Sequence, residues 1–320
     1  MCTAITYKNR YFGRNLDIDC EYGEAVTFTP RGFRFQFGKG VELKKHYAIL
    51  GMAKVQDDYP LYFDAINEKG VCMAGLSFHT GLRYHEMKGG KDNIAPFEFI
   101  PWVLGQCGDM EEVKKLLDRV NIIDLNFSDD LPNSPLHWFV ADRNSSVTVE
   151  TVKDGLKVYD NPVGVLTNDP EFGMQMFNLN NYLSLTADVA ENRFSDKINL
   201  ESYSKGMGGI GLPGDLSSMS RFVKVCFTKL NSLSQRNEDL SQFFHILESA
   251  FQQKGCVRTG EEKYEITEYS SCCDLEEEIY YYKTYGNCGI SAVDMKRENL
   301  DGNDLKIYEL NREQSINYQN

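Results

Sequence analysis

Residues 1–17 run Met1-Cys2-Thr3-Ala4-Ile5-Thr6-Tyr7-Lys8-Asn9-Arg10-Tyr11-Phe12-Gly13-Arg14-Asn15-Leu16-Asp17. Alternation up to Tyr7, a polar break at Lys8-Asn9-Arg10 and a second run from Tyr11 predict a strand, a tight turn and a returning strand. The chain therefore starts inside a sheet. Aminopeptidases remove an initiator Met when the next residue is small, which would leave Cys2 with its thiol and a free α-amine on one residue. An α-amine has a reference pKa of about 7.7 to 8.0, so near neutral pH part of it is unprotonated and accepts the thiol proton, directly or through water. If Tyr7 and Tyr11 flank the turn, counting back sets Cys2 opposite Asn15 or Leu16 and places Arg14 and Asp17 beside the thiol. A guanidinium there favours thiolate, and a carboxylate holds the amine. Taken alone, the same residues also fit a frayed terminus with a surface ion pair.

Outward from this hairpin, 320 residues with 42% apolar side chains suffice for a large core. We expect one domain over 1–320, with Met1 removed. The formal charge of −13 argues against nucleic acid and anionic membranes as partners. Without an apolar run of about eighteen residues or the charged-then-apolar order of a secretory signal, a soluble, cytoplasmic protein is expected. Nine scattered cysteines, an odd number, suit reduced thiols. His46, His79, His85, His137 and His245 form no i,i+4 pair and Cys272-Cys273 lacks CxxC spacing, so neither a metal nor another cofactor is expected.

Short β-rich runs are predicted at Ala25 to Thr29, Tyr47 to Met52, Val71 to Phe78, Leu136 to Ala141, Ser146 to Thr151, Leu156 to Tyr159 and Ile279 to Tyr285. Asn67-Glu68-Lys69-Gly70 reads as a hairpin turn. A helix is predicted over Met110 to Val120, with Asp109 and Glu112 as a capping box and Val113, Leu116, Leu117 and Val120 on one face. Two more are expected at Ser220 to Leu233 and Asp239 to Gln253. Strands flanking helices make the class α+β with stacked layers.

Met1-Cys2-Thr3, Phe12-Gly13-Arg14-Asn15-Leu16-Asp17, Thr29-Pro30-Arg31, Asp58-Tyr59-Pro60, Asn67-Glu68-Lys69-Gly70, Ala74-Gly75-Leu76, Leu136-His137-Trp138, Val165-Leu166-Thr167-Asn168, Leu212-Pro213-Gly214-Asp215 and Ser220-Arg221-Phe222 occur in that order. Together, over essentially the whole chain, they resemble the choloylglycine hydrolase family, which contains bile salt hydrolases and penicillin V acylases. The resemblance implies a four-layer αββα sandwich of the N-terminal-nucleophile hydrolase type and a homotetramer. It also implies Cys2 as nucleophile, Arg14 and Asp17 as its partners, Asn168 as an oxyanion-hole donor and Arg221 as a further charged member of the site.

Ser77 departs from the family, where that position is Asn in bile salt hydrolases and Tyr in penicillin V acylases. A Ser hydroxyl still donates one hydrogen bond, with a shorter reach. The small side chain leaves room for a sterol, and Leu16, Phe63, Phe127 and Leu131 match the family's pocket loops, so conjugated bile acids are the expected substrates. Arg14 and Arg221 are then the candidate positive groups for the anionic glycine or taurine end. Rival readings stay open: penicillin V or another N-acyl amide as substrate, a Cys–His dyad using His137, or a non-catalytic binding protein on the same fold.

Overall fold

The computed structural model describes residues 1–38, 41–43 and 45–320. Its first strands, β1 (Cys2–Tyr7) and β2 (Tyr11–Ile18), pair antiparallel with Cys2 opposite Leu16 and Tyr7 opposite Tyr11. Lys8 and Asn9 take left-handed φ values of 50° and 53°, and Arg10 N donates to Tyr7 O at 3.2 Å to close the turn.

Among the described residues, six strands form one antiparallel sheet in the order Val165–Leu166, β1, β2, Ile266–Asp274, Ile279–Thr284 and Asn287–Asp294. Gly13 permits close approach within it, because a Cβ there would lie 2.0 Å from Ser271 O. Eight strands form the second sheet, ordered Gly155–Asp160, Ser146–Val152, Leu136–Ala141, Cys72–Ser77, Tyr59–Asn67, Ile49–Gln56, Ala25–Thr29 and Lys306–Tyr308. The sheets pack face to face over a shared apolar core, with Phe12 of the first 5.3 Å from Phe139 of the second, ring centre to ring centre.

Helices cover the outer faces. α1 (Phe99–Gln106) and α2 (Met110–Leu117) bury Phe99, Val103, Val113 and Leu117 with the second sheet's outer residues in a separate cluster, where Phe99 meets Trp138 edge-on at 4.7 Å. α3 (Phe172–Asn178) packs near α4 (Ser218–Asn231), and α4 and α5 (Asp239–Glu248) lie on the first sheet. The order helix, sheet, sheet, helix is the αββα sandwich that the resemblance implies. No described helix is long and apolar enough to cross a membrane.

Element ends differ from the sequence reading for local reasons. α2 stops at Leu117, and Val120 instead begins a strand, Val120–Ile122, parallel to Asp92–Ile94. Asp109 accepts from Glu112 N at 2.9 Å, but the Glu112 carboxylate reaches back to Gly108 N rather than Asp109 N, so the capping box is displaced by one residue. α4 starts two residues early, with Ser217 at its N-cap position, and α5 ends before Gln253. In the Ile279–Thr284 strand the fully packed face is Tyr280, Tyr282 and Thr284.

Candidate active site

In the hairpin ladder Cys2 faces Leu16 and Ala4 faces Arg14, so Arg14 is the diagonal neighbour of Cys2 on the same face of the sheet. Its guanidinium is fully buried and Nη2 contacts Cys2 Sγ. The other nitrogens are anchored to main-chain oxygens: Nη1 donates to Phe63 O at 3.2 Å and to Gly75 O, and Nε to Asn15 O at 3.4 Å. The Phe63 carbonyl is free for this because the pairing of Ile49–Gln56 with Tyr59–Asn67 skips a residue between Met52–Asp64 and Ala53–Tyr62, leaving Phe63 as a β-bulge. Burial works against the Arg14 charge, yet the Cys2 sulfur, Tyr269, Asp64 and Asp17 hold the guanidinium protonated above its ordinary range.

Asp17 is fully buried. Its Oδ1 accepts from Thr267 Oγ1 at 2.6 Å, and its Oδ2 has no partner among the described residues. Burial pushes this carboxyl up, against the opposing pull of Arg221 and the chain terminus. The chain here carries Met1, whose amine donates to Asp17 O at 2.6 Å and pairs with Glu265. Burial lowers the pKa of that amine.

Asn168 and Arg221 hold Cys2 from behind. Asn168 Oδ1 accepts from Cys2 N at 2.8 Å and from Arg221 Nη2 at 2.7 Å, while Asn168 Nδ2 donates to Ser77 O at 2.8 Å. Thr167 and Ser218 brace this turn, with Ser218 Oγ accepting from Asn168 N at 2.8 Å. Arg221 is fully buried, although a first-turn Arg normally reaches solvent. It donates to Cys2 O at 2.5 Å, Thr3 Oγ1 at 2.6 Å and Leu216 O at 2.9 Å. Burial lowers its pKa, opposed by Asp17 and Cys2.

A cavity of about 670 Å³ opens beside Cys2 and Arg14, a size suited to a small organic ligand. Leu16, Phe63, Ser77, Phe127 and Leu131 all line it. Phe127 is fixed edge-on to Phe97 at 5.3 Å. Ser77 is half-buried, and its carbonyl, rather than its hydroxyl, is what Asn168 binds. Arg221 is absent from the cavity wall and four of its five N–H groups donate to the chain, so the expectation that it meets the anionic end of a ligand does not hold. Lys54 and His79 also line the wall, and the sequence assigned neither of them to the site.

His137 is fully buried, with Nε2 2.9 Å from Thr167 O, Nδ1 3.3 Å from Glu150 Oε1 and its ring stacked on Phe78 at 4.7 Å. Both ring nitrogens are engaged away from Cys2, so the arrangement is not a Cys–His dyad. Asp64 escaped the sequence reading although a lone acid inside the apolar run Leu61-Tyr62-Phe63-Asp64-Ala65-Ile66 was a signal.

Comparison with known proteins agrees with this geometry. Residues 2–308 match the family of linear amide C–N hydrolases, choloylglycine hydrolase family. The chain is 55% identical over 317 residues to the bile salt hydrolase/transferase of Lactiplantibacillus plantarum, covering 98% of each chain. It is 42% identical over 330 residues to the bile salt hydrolase/transferase of Clostridium perfringens, covering both chains fully. A crystal structure of a variant of the conjugated bile acid hydrolase from C. perfringens superposes with a TM-score of 0.94 at 41% identity, covering 100% of both chains. Penicillin V acylase from Agrobacterium tumefaciens shares the fold at a TM-score of 0.75 and 18% identity, over 97% of this chain and 91% of that one. A thiol in contact with a buried guanidinium at the head of a sheet, in a chain so similar to these throughout its length, places the protein in the choloylglycine hydrolase family of linear amide C–N hydrolases.

Proposed function

We propose that the protein hydrolyses the amide bond of glycine- or taurine-conjugated bile acids, with Cys2 as nucleophile after loss of Met1. The observation that carries this reading is the Arg14–Cys2 contact at the mouth of a largely apolar cavity of about 670 Å³. The names of the two relatives above support the substrate class.

Loss of Met1 would turn Cys2 N into an amine next to Asn168 Oδ1, with the unpartnered Asp17 Oδ2 as candidate counter-charge. The amine takes the thiol proton, and the thiolate stabilised by Arg14 attacks the amide carbonyl carbon. Asn168 Nδ2, which has one N–H beyond that given to Ser77 O, is the proposed side-chain donor to the oxyanion. The ammonium passes its proton to the leaving nitrogen as the C–N bond breaks, releasing glycine or taurine. Water then hydrolyses the thioester, which frees the bile acid and restores the thiol. Leu16, Phe63, Phe127 and Leu131 form the proposed sterol wall, and Ser77 sits where the reacting carbonyl enters.

The domain is taken as 1–320, in the cytoplasm and as a homotetramer. Support for assembly comes from the 172–210 segment, which exposes Phe177, Leu183, Phe194 and Tyr203 at 76 to 85% of their surface. Incubating the purified protein separately with glycocholate, taurocholate and penicillin V, and quantifying the released amines and acids, tests the substrate. Glycine or taurine release is expected. Release from penicillin V alone would reassign the substrate, and no release from any would favour the non-catalytic reading.

A further inference from the structure

Asp64 is a fully buried carboxylate in the face of the second sheet that meets the first. Its Oδ1 accepts from Tyr269 OH at 2.5 Å, and its Oδ2 accepts from Tyr280 OH at 2.7 Å and Ser271 Oγ at 2.8 Å. Three hydroxyl donors from two strands of the opposite sheet converge on it, an arrangement that suits an anion. Ser271 gives its proton to Asp64 and accepts from Arg14 N at 3.3 Å, so the same hydroxyl fixes the Arg14 backbone. Asp64 also follows Phe63, the bulge residue whose carbonyl binds the Arg14 guanidinium. Asp64, Tyr269, Ser271 and Tyr280 are not among the residues that line the cavity, and the reaction above assigns Asp64 no part.

We propose that Asp64 is a positioning residue for the nucleophile, a buried counter-charge that holds Arg14 and moderates the field that Arg14 places on Cys2 Sγ. The inference rests on the reading of Cys2 as nucleophile. Burial pushes the Asp64 carboxyl up, while Arg14, Tyr269, Tyr280 and Ser271 pull it down, and Asp64 in turn is among the groups that keep Arg14 charged. Around Asp64 the titratable neighbours are Arg14 of β2, Tyr269 and Cys273 of Ile266–Asp274, Tyr280 of Ile279–Thr284 and Cys72 of the adjoining strand. Around Cys2 they are Arg14, Asp17, Arg221, Tyr22 and the terminal amine. Removing the Asp64 charge leaves the Arg14 guanidinium less compensated, with Asp17 the acid that remains near it, and a less compensated cation draws the thiol proton off at lower pH.

The test measures iodoacetamide alkylation of Cys2 against pH by peptide mass spectrometry, in full-length protein whose intact mass shows Met1 removed. Asp64→Asn should lower the pH midpoint of alkylation by about one unit and move the acid limb of kcat/KM the same way. Tyr280→Phe, which keeps the acid but removes one donor, should let Asp64 take up a proton more readily and so give a smaller shift in the same direction; it serves also if Asp64→Asn fails to fold. A midpoint and acid limb unchanged in a folded variant, with only thermal stability reduced, would overturn the proposal. Cys2→Ala, which leaves no nucleophilic atom at that position, separates the two readings: if that variant still turns over, the nucleophile assignment itself fails, whereas an inactive Cys2→Ala beside an unshifted Asp64→Asn refutes the counter-charge alone.

Discussion

Asn168→Ala removes the side chain that ties Cys2 N to Arg221 and Ser77. Its three hydrogen bonds, at 2.8, 2.7 and 2.8 Å, comprise two between neutral groups and one from a buried guanidinium. At about 1 kcal/mol for each neutral bond and about 2 for the charged one, the variant should lose about 4 kcal/mol of stability. For a chain of this size that lowers Tm by about 6 °C. Catalysis suffers separately, because the amine loses its acceptor and the oxyanion its proposed donor. Loss of such a donor typically costs about 10²- to 10³-fold in kcat. Asn168→Asp divides the two effects, since an acceptor remains for the amine and Arg221 while the donor is lost; the deficit should then lie mainly in kcat. Differential scanning calorimetry and amine release from taurocholate measure both quantities. If Asn168→Ala kept kcat within about threefold of the parent, neither the amine contact nor the donor role could stand.

Phe127→Ala should raise KM for sterol conjugates about tenfold, equivalent to about 1.4 kcal/mol, and leave turnover of a short-chain acyl glycine unchanged, as steady-state kinetics on both substrates will tell. His137→Gln should lower stability by about 2 kcal/mol in urea unfolding, since His137 bridges Glu150 and Thr167, while kcat stays within about fivefold; abolished turnover in a folded variant would revive the dyad. Asp215 accepts from Ser217 N and Ser220 Oγ just before α4, which holds its pKa down to about 2 from an ordinary 3.8. A lowered carboxyl stabilises the fold above its ordinary value and loses that contribution as pH falls through the folded one. Because the group is exposed, Asp215→Asn should cost under about 1 kcal/mol at pH 7, and the gap should close between pH 4 and 2 in unfolding curves taken across that range.

The hairpin was legible because register is arithmetic: once Tyr7 faces Tyr11, Cys2 falls opposite Leu16 and Arg14 lands on its diagonal. Asn168 and Arg221 were reached through resemblance alone. They join Cys2 from 166 and 219 residues away, and no local pattern distinguishes a buried Arg221 from a solvated first-turn arginine. Asp64 shows the same limit, since its three donors lie on strands more than 200 residues later. Helix ends were misjudged where tertiary structure overrode periodicity: Val120 continues the apolar stripe of α2 but pairs as a strand with Asp92–Ile94. Phe63 needed the bulge to send its carbonyl to Arg14 and its ring to the cavity, and a bulge leaves no signature in a run of β-forming residues.

Acid-quenching the protein during turnover of taurocholate and sequencing its N-terminal peptide by mass spectrometry tests the central claim most directly. The account predicts a peptide beginning at Cys2, part of it heavier by one acyl group held as a thioester on that residue. Active protein that retains Met1, or an acyl group found on another side chain, would contradict it.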